Sequence, residues 1–343
     1  MYRHISSGLG RSEADALPAR PLRAGKVGVG LFRAIAQMGR MRAVPALLTP
    51  VLWGAATAQW RIETVSIWPA LALLFDFAAL ALACNFLGAY VDYRRHLNFD
   101  ALSHAPESEQ KPPLQSRSLP FDGYDWMQQG LLRAATFLSL GLMAGTIFAL
   151  ASLWLGFFVG WPFCFFAFLS GLLCGASIWP PIRYARRLWW LGDIAYWLGM
   201  GVFPLLGTYF ALTGAVTQPL LWITFAPATF AWLAYLSFSF YSWHRDWRIR
   251  RRTLVVVFGP DRGLDIAAIV SVVGFVALIL LMATGVVPVW TILVLGAFPL
   301  FLRAFSRGRV WPFSRQAGIA TVENAINGVV LAGLLWLIPL WLA

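Results

Sequence analysis

The sequence predicts an all-α integral membrane protein: a bundle of nine transmembrane helices, N-terminus cytoplasmic and C-terminus outside. Three observations carry this expectation. The 343 residues are 59% hydrophobic and only 12% charged, with a mean hydropathy of +0.67, whereas soluble domains carry about 25% charged residues. The apolar stretches have the lengths of membrane spans. The basic residues fall in alternate gaps between those stretches.

The spans follow from the gaps between charges. Residues 43–60 form the first and residues 67–91 the second, the latter interrupted only by Asp76. Residues 134–182 and 194–244 carry no formal charge. Each stretch holds two helices of about 20 residues and a turn. The expected turns lie near Ala151-Ser152 or in Gly156 to Pro162, and from Thr213-Gly214 to Pro219. Residues 266–302 hold two shorter spans that turn at Gly285 to Pro288, and the ninth runs from about Asn324 to Ala343.

Of 27 Lys and Arg residues, only Arg61 falls on the face opposite the others. The positive-inside rule puts the basic face in the cytoplasm. The net charge of +12 is thereby explained by orientation and does not argue for a nucleic-acid partner. Residues 1–42 read as a cytoplasmic tail, disordered in part, in which 28–39 can form an interfacial helix. Residues 43–343 read as one membrane domain. Cys84, Cys164 and Cys174 all fall in spans and read as packing thiols. No cleavable signal pattern is visible.

Chemistry is expected at the cytoplasmic loops, which are long and charged, whereas the outer ones are short and bland. Two stretches stand out. Gly88-Ala89-Tyr90-Val91-Asp92-Tyr93-Arg94-Arg95-His96 ends the second span, and Ser242-Trp243-His244-Arg245-Asp246-Trp247-Arg248-Ile249-Arg250-Arg251-Arg252-Thr253 ends the sixth. Each sets one carboxylate beside arginines and a histidine. Carboxylates hold divalent cations and arginines hold phosphate. Asp92, His96, His244 and Asp246 together have the chemistry of a divalent metal site. Spacing alone fits solvated residues at helix ends somewhat better. Asp76 is 16 residues before Asp92, about 24 Å along a helix. It reads as a buried structural contact apart from that site.

Several segments resemble the UbiA-type intramembrane prenyltransferases, most closely the branch that prenylates dihydroxynaphthoate for menaquinone. Arg40-x-Arg42-x-x-Pro45-Ala46-x-x-x-Pro50-Val51-Leu52-x-Gly54 is similar to that branch's opening span. Asp92-Tyr93 with Arg95 resembles the end of its first acidic motif, and Pro180-Pro181 with Arg183 its loop after span four. Gly207-Thr208-Tyr209 with Thr213-Gly214 resembles the end of span five, and Arg252-Thr253-Leu254 with Gly259 the stretch after the second acidic motif. The acidic motifs are degenerate. Gly88 and Ala89 stand where the family has Asn-Asp, His96 and Asn98 where it has a further acid, and Ser242 where its second motif begins with Asp.

The resemblance implies transfer of a prenyl chain from a prenyl diphosphate to a hydrophobic aromatic or quinone-precursor acceptor, in a bacterial inner membrane. Asp92 and Asp246 would be the catalytic metal-binding acids, with His96 and His244 as further ligands. Arg94, Arg95, Arg117, Arg183, Arg250, Arg251 and Arg252 would clamp the diphosphate. The implied cofactor is Mg²⁺, with Mn²⁺ or no metal as alternatives for so reduced a site. Two other classes stay open: a non-catalytic membrane subunit that binds an isoprenoid or quinone lipid or a partner protein, and a lipid phosphotransferase or transporter.

Overall fold

The computed structural model describes residues 40, 43–63, 65–102, 124, 127, 132–183, 189–306 and 315–342. The expected interfacial helix at 28–39 and Arg117 lie outside the described residues. Every regular element among the described residues is helical. Among the described residues, eight helices are long and apolar enough to cross a membrane. The first expected span is split. Prolines 45 and 50 each sit in a first helical turn, so α1 (Val44–Leu47) and α2 (Thr49–Ile62) meet at Leu48, and neither piece reaches a full span.

The next helix, α3 (Ile67–Leu102), runs well past the apolar limit at residue 91, so Asp92 lies within a continuous helix rather than at its end. Helix α4 (Ala134–Val159) turns at Gly160, φ 118°, into α5 (Trp161–Ile178). One short turn, α6 (Pro180–Arg183), and α7 (Trp189–Tyr196) follow. A π-helical turn over Trp197–Val202 leads into α8 (Phe203–Thr213), which Gly214 closes at φ 76°. Then come α9 (Gln218–Ile223), α10 (Phe225–Tyr241), α11 (Trp243–Arg248) and α12 (Leu254–Phe258). Helix α13 (Pro260–Ala283), a 3₁₀ segment (Val289–Ala297), α14 (Phe298–Ser306) and α15 (Arg315–Leu342) complete the bundle. The last helix starts nine residues before the expected Asn324.

Large side chains divide by what surrounds them. Phe157, Phe158, Trp161 and Trp68 project from the bundle, as lipid-facing residues do. Trp53 of α2 and Trp336 of α15 are fully buried and stack at 3.9 Å, nearly parallel, tying α2 to the last helix. Asp76 is buried, and the Ser152 hydroxyl donates to its Oδ2 at 2.9 Å, a cross-link between α3 and α4. Asp76 thus makes a buried polar contact of the expected kind, sixteen residues before Asp92 on the same helix.

The π turn brings α7 and α8 close to their neighbours. A Cβ on Gly199 would lie 2.9 Å from the Cys174 backbone nitrogen, and one on Gly201 would lie 2.6 Å from Cα of Ala228. Backbone meets backbone there and cannot yield. Gly201→Ala is therefore expected to cost about 1–3 kcal/mol, read as a lower thermal unfolding midpoint in detergent. Gly175→Ala, with nothing within 4 Å of its added Cβ, serves as the control and leaves the midpoint unchanged or slightly higher. Equal behaviour of the two variants would refute this account of the π turn.

Candidate functional site

Asp92 and Asp246 both come to one guanidinium. Asp92, on α3, is buried and accepts two parallel hydrogen bonds from Arg183: Nε to Oδ1 and Nη2 to Oδ2, both 2.8 Å. This is the fork-to-fork pairing that makes Arg–carboxylate contacts strong. Nη1 of Arg251 adds a third contact, 3.2 Å from Oδ2 of Asp92, and lies 3.6 Å from Oδ1 of Asp246. A single nitrogen therefore bridges two acids that are far apart in sequence. Nη2 of the same residue donates to the Tyr235 hydroxyl at 3.1 Å.

Local structure explains how Asp246 and Arg251 reach this point. Asp246 is 0% exposed and its neighbour Trp247 66% exposed, so α11 turns one face inward. The Ser242 hydroxyl, one helical turn earlier, lies 2.8 Å from Oδ2 of Asp246 and 2.9 Å from the Phe238 carbonyl. After α11 the chain reverses. Arg250 takes the left-handed conformation, φ 55°. Its N–H donates to the Trp247 carbonyl, and that of Arg251 donates to the Asp246 carbonyl at 2.8 Å. This is the Schellman pattern, with arginine at the position glycine usually fills. The reversal sends Arg251 back toward Asp246 and Asp92. Thr253 then caps α12 by accepting from Val256 N–H.

Charge dominates the site. Burial is the largest influence on Arg251 and opposes its charged form, but the Asp246 and Asp92 carboxylates outweigh it and raise its pKa. Burial, then Arg251, oppose the charge on Arg183, and Asp92 overcomes both. Arg245 sits with Nε 3.5 Å from Oδ1 of Asp246 and its guanidinium over the Tyr124 ring at 4.5 Å. Two carboxylates thus face three guanidiniums. Tyr235 also stacks on Tyr196, centroids 3.9 Å apart, just before the π turn. Asp193 is half-buried on α7, its Oδ2 shielded from solvent and within electrostatic reach of Arg251.

The residues singled out in the sequence separate accordingly. Asp92, Asp246, Arg183 and Arg251 converge. Arg94 and Arg250 are exposed, while Arg95 and Arg252 are half-buried. The backbone of His96 continues α3, but its side chain lies outside the described residues. His244 is exposed and packs edge-on against Trp243, rings 4.3 Å apart. Two positions apart on one helix, His244 and Asp246 face different ways. Tyr235 carries no signal in the sequence, because it lies in an apolar span; Asp193 and Arg245 flank that span as charges, but nothing in their spacing assigns them to the site.

A magnesium ion does not fit this donor set. Mg²⁺ needs near-octahedral oxygens at about 2.1 Å. Both oxygens of Asp92 are engaged by arginine, Oδ2 of Asp246 is engaged by Ser242, and Arg251 stands between the acids. Among the described residues, one oxygen, Oδ1 of Asp246, has no hydrogen bond and faces the guanidiniums of Arg245 and Arg251. Among the described residues, no three His, Cys, Asp or Glu side chains are grouped to hold a metal.

The left-handed Arg250 gives a direct test of the reversal. For a residue with a Cβ this conformation costs about 1–2 kcal/mol, while glycine adds unfolded-state entropy of about 0.5–1 kcal/mol. Arg250→Gly is expected to leave the thermal midpoint unchanged or raise it, and Arg250→Val to lower it markedly. The opposite order would contradict the Schellman geometry.

No protein-family model matches the sequence, and no curated protein matches it. Solved structures do. A UbiA homolog from Archaeoglobus fulgidus bound to DMAPP and Mg²⁺ aligns over 89% of this chain and 99% of its own, at 15% identity and a TM-score of 0.56. A digeranylgeranylglyceryl phosphate synthase aligns over 91% and 99%, at 13% identity and a TM-score of 0.53. The apo UbiA homolog from Aeropyrum pernix K1 aligns over 86% and 94%, at 14% identity and a TM-score of 0.52. At such identities the likeness is one of fold: this chain has the fold of the UbiA-type prenyltransferases.

Proposed function

We propose that the chain transfers a prenyl group, within the membrane, from a prenyl diphosphate to a hydrophobic aromatic acceptor of the quinone-precursor kind. The observation that carries this reading is the convergence of Asp92, Arg183, Arg251 and Asp246 in a fold whose solved examples include homologs bound to DMAPP and GPP. The diphosphate head would lie against the guanidiniums of Arg183, Arg251 and Arg245, with Arg95 and Arg252 beside them. Asp92 and Asp246 would hold those guanidiniums in place. Heterolysis of the allylic C–O bond leaves its electron pair on the diphosphate, where the fixed positive charges stabilise it. The stacked Tyr196 and Tyr235 rings offer π faces to the allylic cation. The aromatic acceptor attacks that cation and then loses a proton to the departing diphosphate.

The prenyl chain would extend into the apolar interior. A groove of 460 Å³, bordered by Leu48, Leu52, Leu74, Leu82 and Leu334, opens between the first, second and last membrane segments. Leu82 precedes Asp92 by ten residues, about 15 Å of helix. The competing reading, a non-catalytic isoprenoid-binding subunit, draws on the same ion pairs, since both acids are already neutralised.

Pyrophosphate release by the purified chain, with prenyl diphosphates of several lengths and aromatic acceptors, separates the two. Asp92→Asn and Arg183→Gln should each reduce it by about a hundredfold. No release by the wild type would favour the binding subunit, and release that survives both substitutions would remove these residues from the reaction.

We place the site on the cytoplasmic side by the charge bias of the loops. A cysteine at Val216, in the turn after Gly214, should react with an impermeant thiol reagent only from outside. One at Trp247 should react only from the cytoplasm. The reverse pattern would overturn this orientation.

A further inference from the structure

We infer that Arg251 takes the place of a divalent cation, so that the site binds its diphosphate ligand without metal. The inference rests on the proposed prenyl diphosphate reading and concerns how the same site achieves it. A metal bridging two carboxylates must lie between them, and that position holds Nη1 of Arg251, 3.2 Å from Asp92 and 3.6 Å from Asp246. The positions that would complete an acidic motif hold Ala89, buried near Phe86 and Phe137, and Ser242, whose hydroxyl bonds to Asp246. The side chains that would fill out a metal's coordination are thus missing, and the two acids that remain are paired with Arg251.

The donors suit a phosphate. Among the described residues, two of the five N–H groups of Arg251 make hydrogen bonds, one to Asp92 and one to Tyr235. Arg183, paired side-on with Asp92, keeps its guanidinium plane fixed. Asp92, Asp246, Arg183, Arg245 and Arg251 sum to one net positive charge, with the shielded Asp193 carboxyl also within reach of Arg251. A divalent cation entering beside three guanidiniums would be repelled, whereas an anion would be attracted. The left-handed Arg250 supports the assignment, because backbone strain is held there to present Arg251.

The test is calorimetric binding of inorganic pyrophosphate and of geranyl diphosphate to the purified full chain in detergent, with EDTA or with millimolar Mg²⁺. Wild type should bind in EDTA, with an affinity that Mg²⁺ changes by less than about threefold. Arg251→Gln should weaken binding by about tenfold or more, corresponding to about 1.4 kcal/mol, and Arg251→Lys should recover part of the loss. The triple change Ala89→Asp, Ser242→Asp, Arg251→Met should bind only with Mg²⁺. Wild-type binding that requires Mg²⁺ would overturn the inference and leave the prenyl diphosphate reading intact. Binding by Arg251→Gln equal to wild type would also overturn it. Failure of both ligands to bind, with and without Mg²⁺, would overturn the reading and the inference together. If Arg251→Gln does not fold, the wild-type comparison of EDTA with Mg²⁺ decides alone.

Discussion

The site depends on one guanidinium shared by two buried carboxylates. Asp92 rises from α3 and Asp246 from α11, and neither reaches water. A buried carboxylate without a partner is costly, and removing one member of a buried pair typically costs about 3–5 kcal/mol. Arg251 answers both acids with one side chain, and Arg183 completes the cage on Asp92. Other features serve this contact. The Schellman reversal at Arg250 delivers Arg251, the Ser242 hydroxyl holds the far oxygen of Asp246, and the Tyr235 hydroxyl fixes the rest of the guanidinium.

The bundle around this contact was legible because membrane solvation acts on composition. Uncharged runs of span length and glycine–proline turns are local properties, and Gly160, Gly214 and Gly285 all turn where the apolar runs break. The first segment was less legible, since prolines 45 and 50 divide one apolar run into two helices. Nor does hydropathy give the end of α3. Hydropathy stops at the membrane boundary, but hydrogen bonding does not, and the helix continues through Leu102.

The site was legible only as a set of residue types. Asp92, Asp246, Arg183 and Arg251 could be singled out, because charges at the ends of apolar runs are conspicuous. What they do to one another could not. Three consecutive arginines, Arg250 to Arg252, look alike in sequence, yet one is exposed, one is buried between two acids and one is half-buried. A left-handed φ at Arg250 separates them, and nothing local in the sequence signals a non-glycine residue there. His244 illustrates the converse. It stands two residues from Asp246, and helical geometry turns it outward.

Replacing an ion by an arginine changes the physics of a diphosphate site. A metal ion is a point charge that arrives with ligand and can leave. A guanidinium spreads one charge over a plane, is covalently anchored and stays protonated, here more firmly still because Asp246 and Asp92 raise its pKa against the opposing effect of burial. Its donors are oriented before any ligand binds, so little reorganisation accompanies the arrival of an anion. The carboxylates then change role. In a metal site they are ligands to the cation. Here they are its counter-ions and set the direction of its fork. Restoring acids at 89 and 242 without removing Arg251 would therefore add charge that the existing cage does not need. Fold and residue type alone do not decide between these arrangements; the position of one guanidinium does.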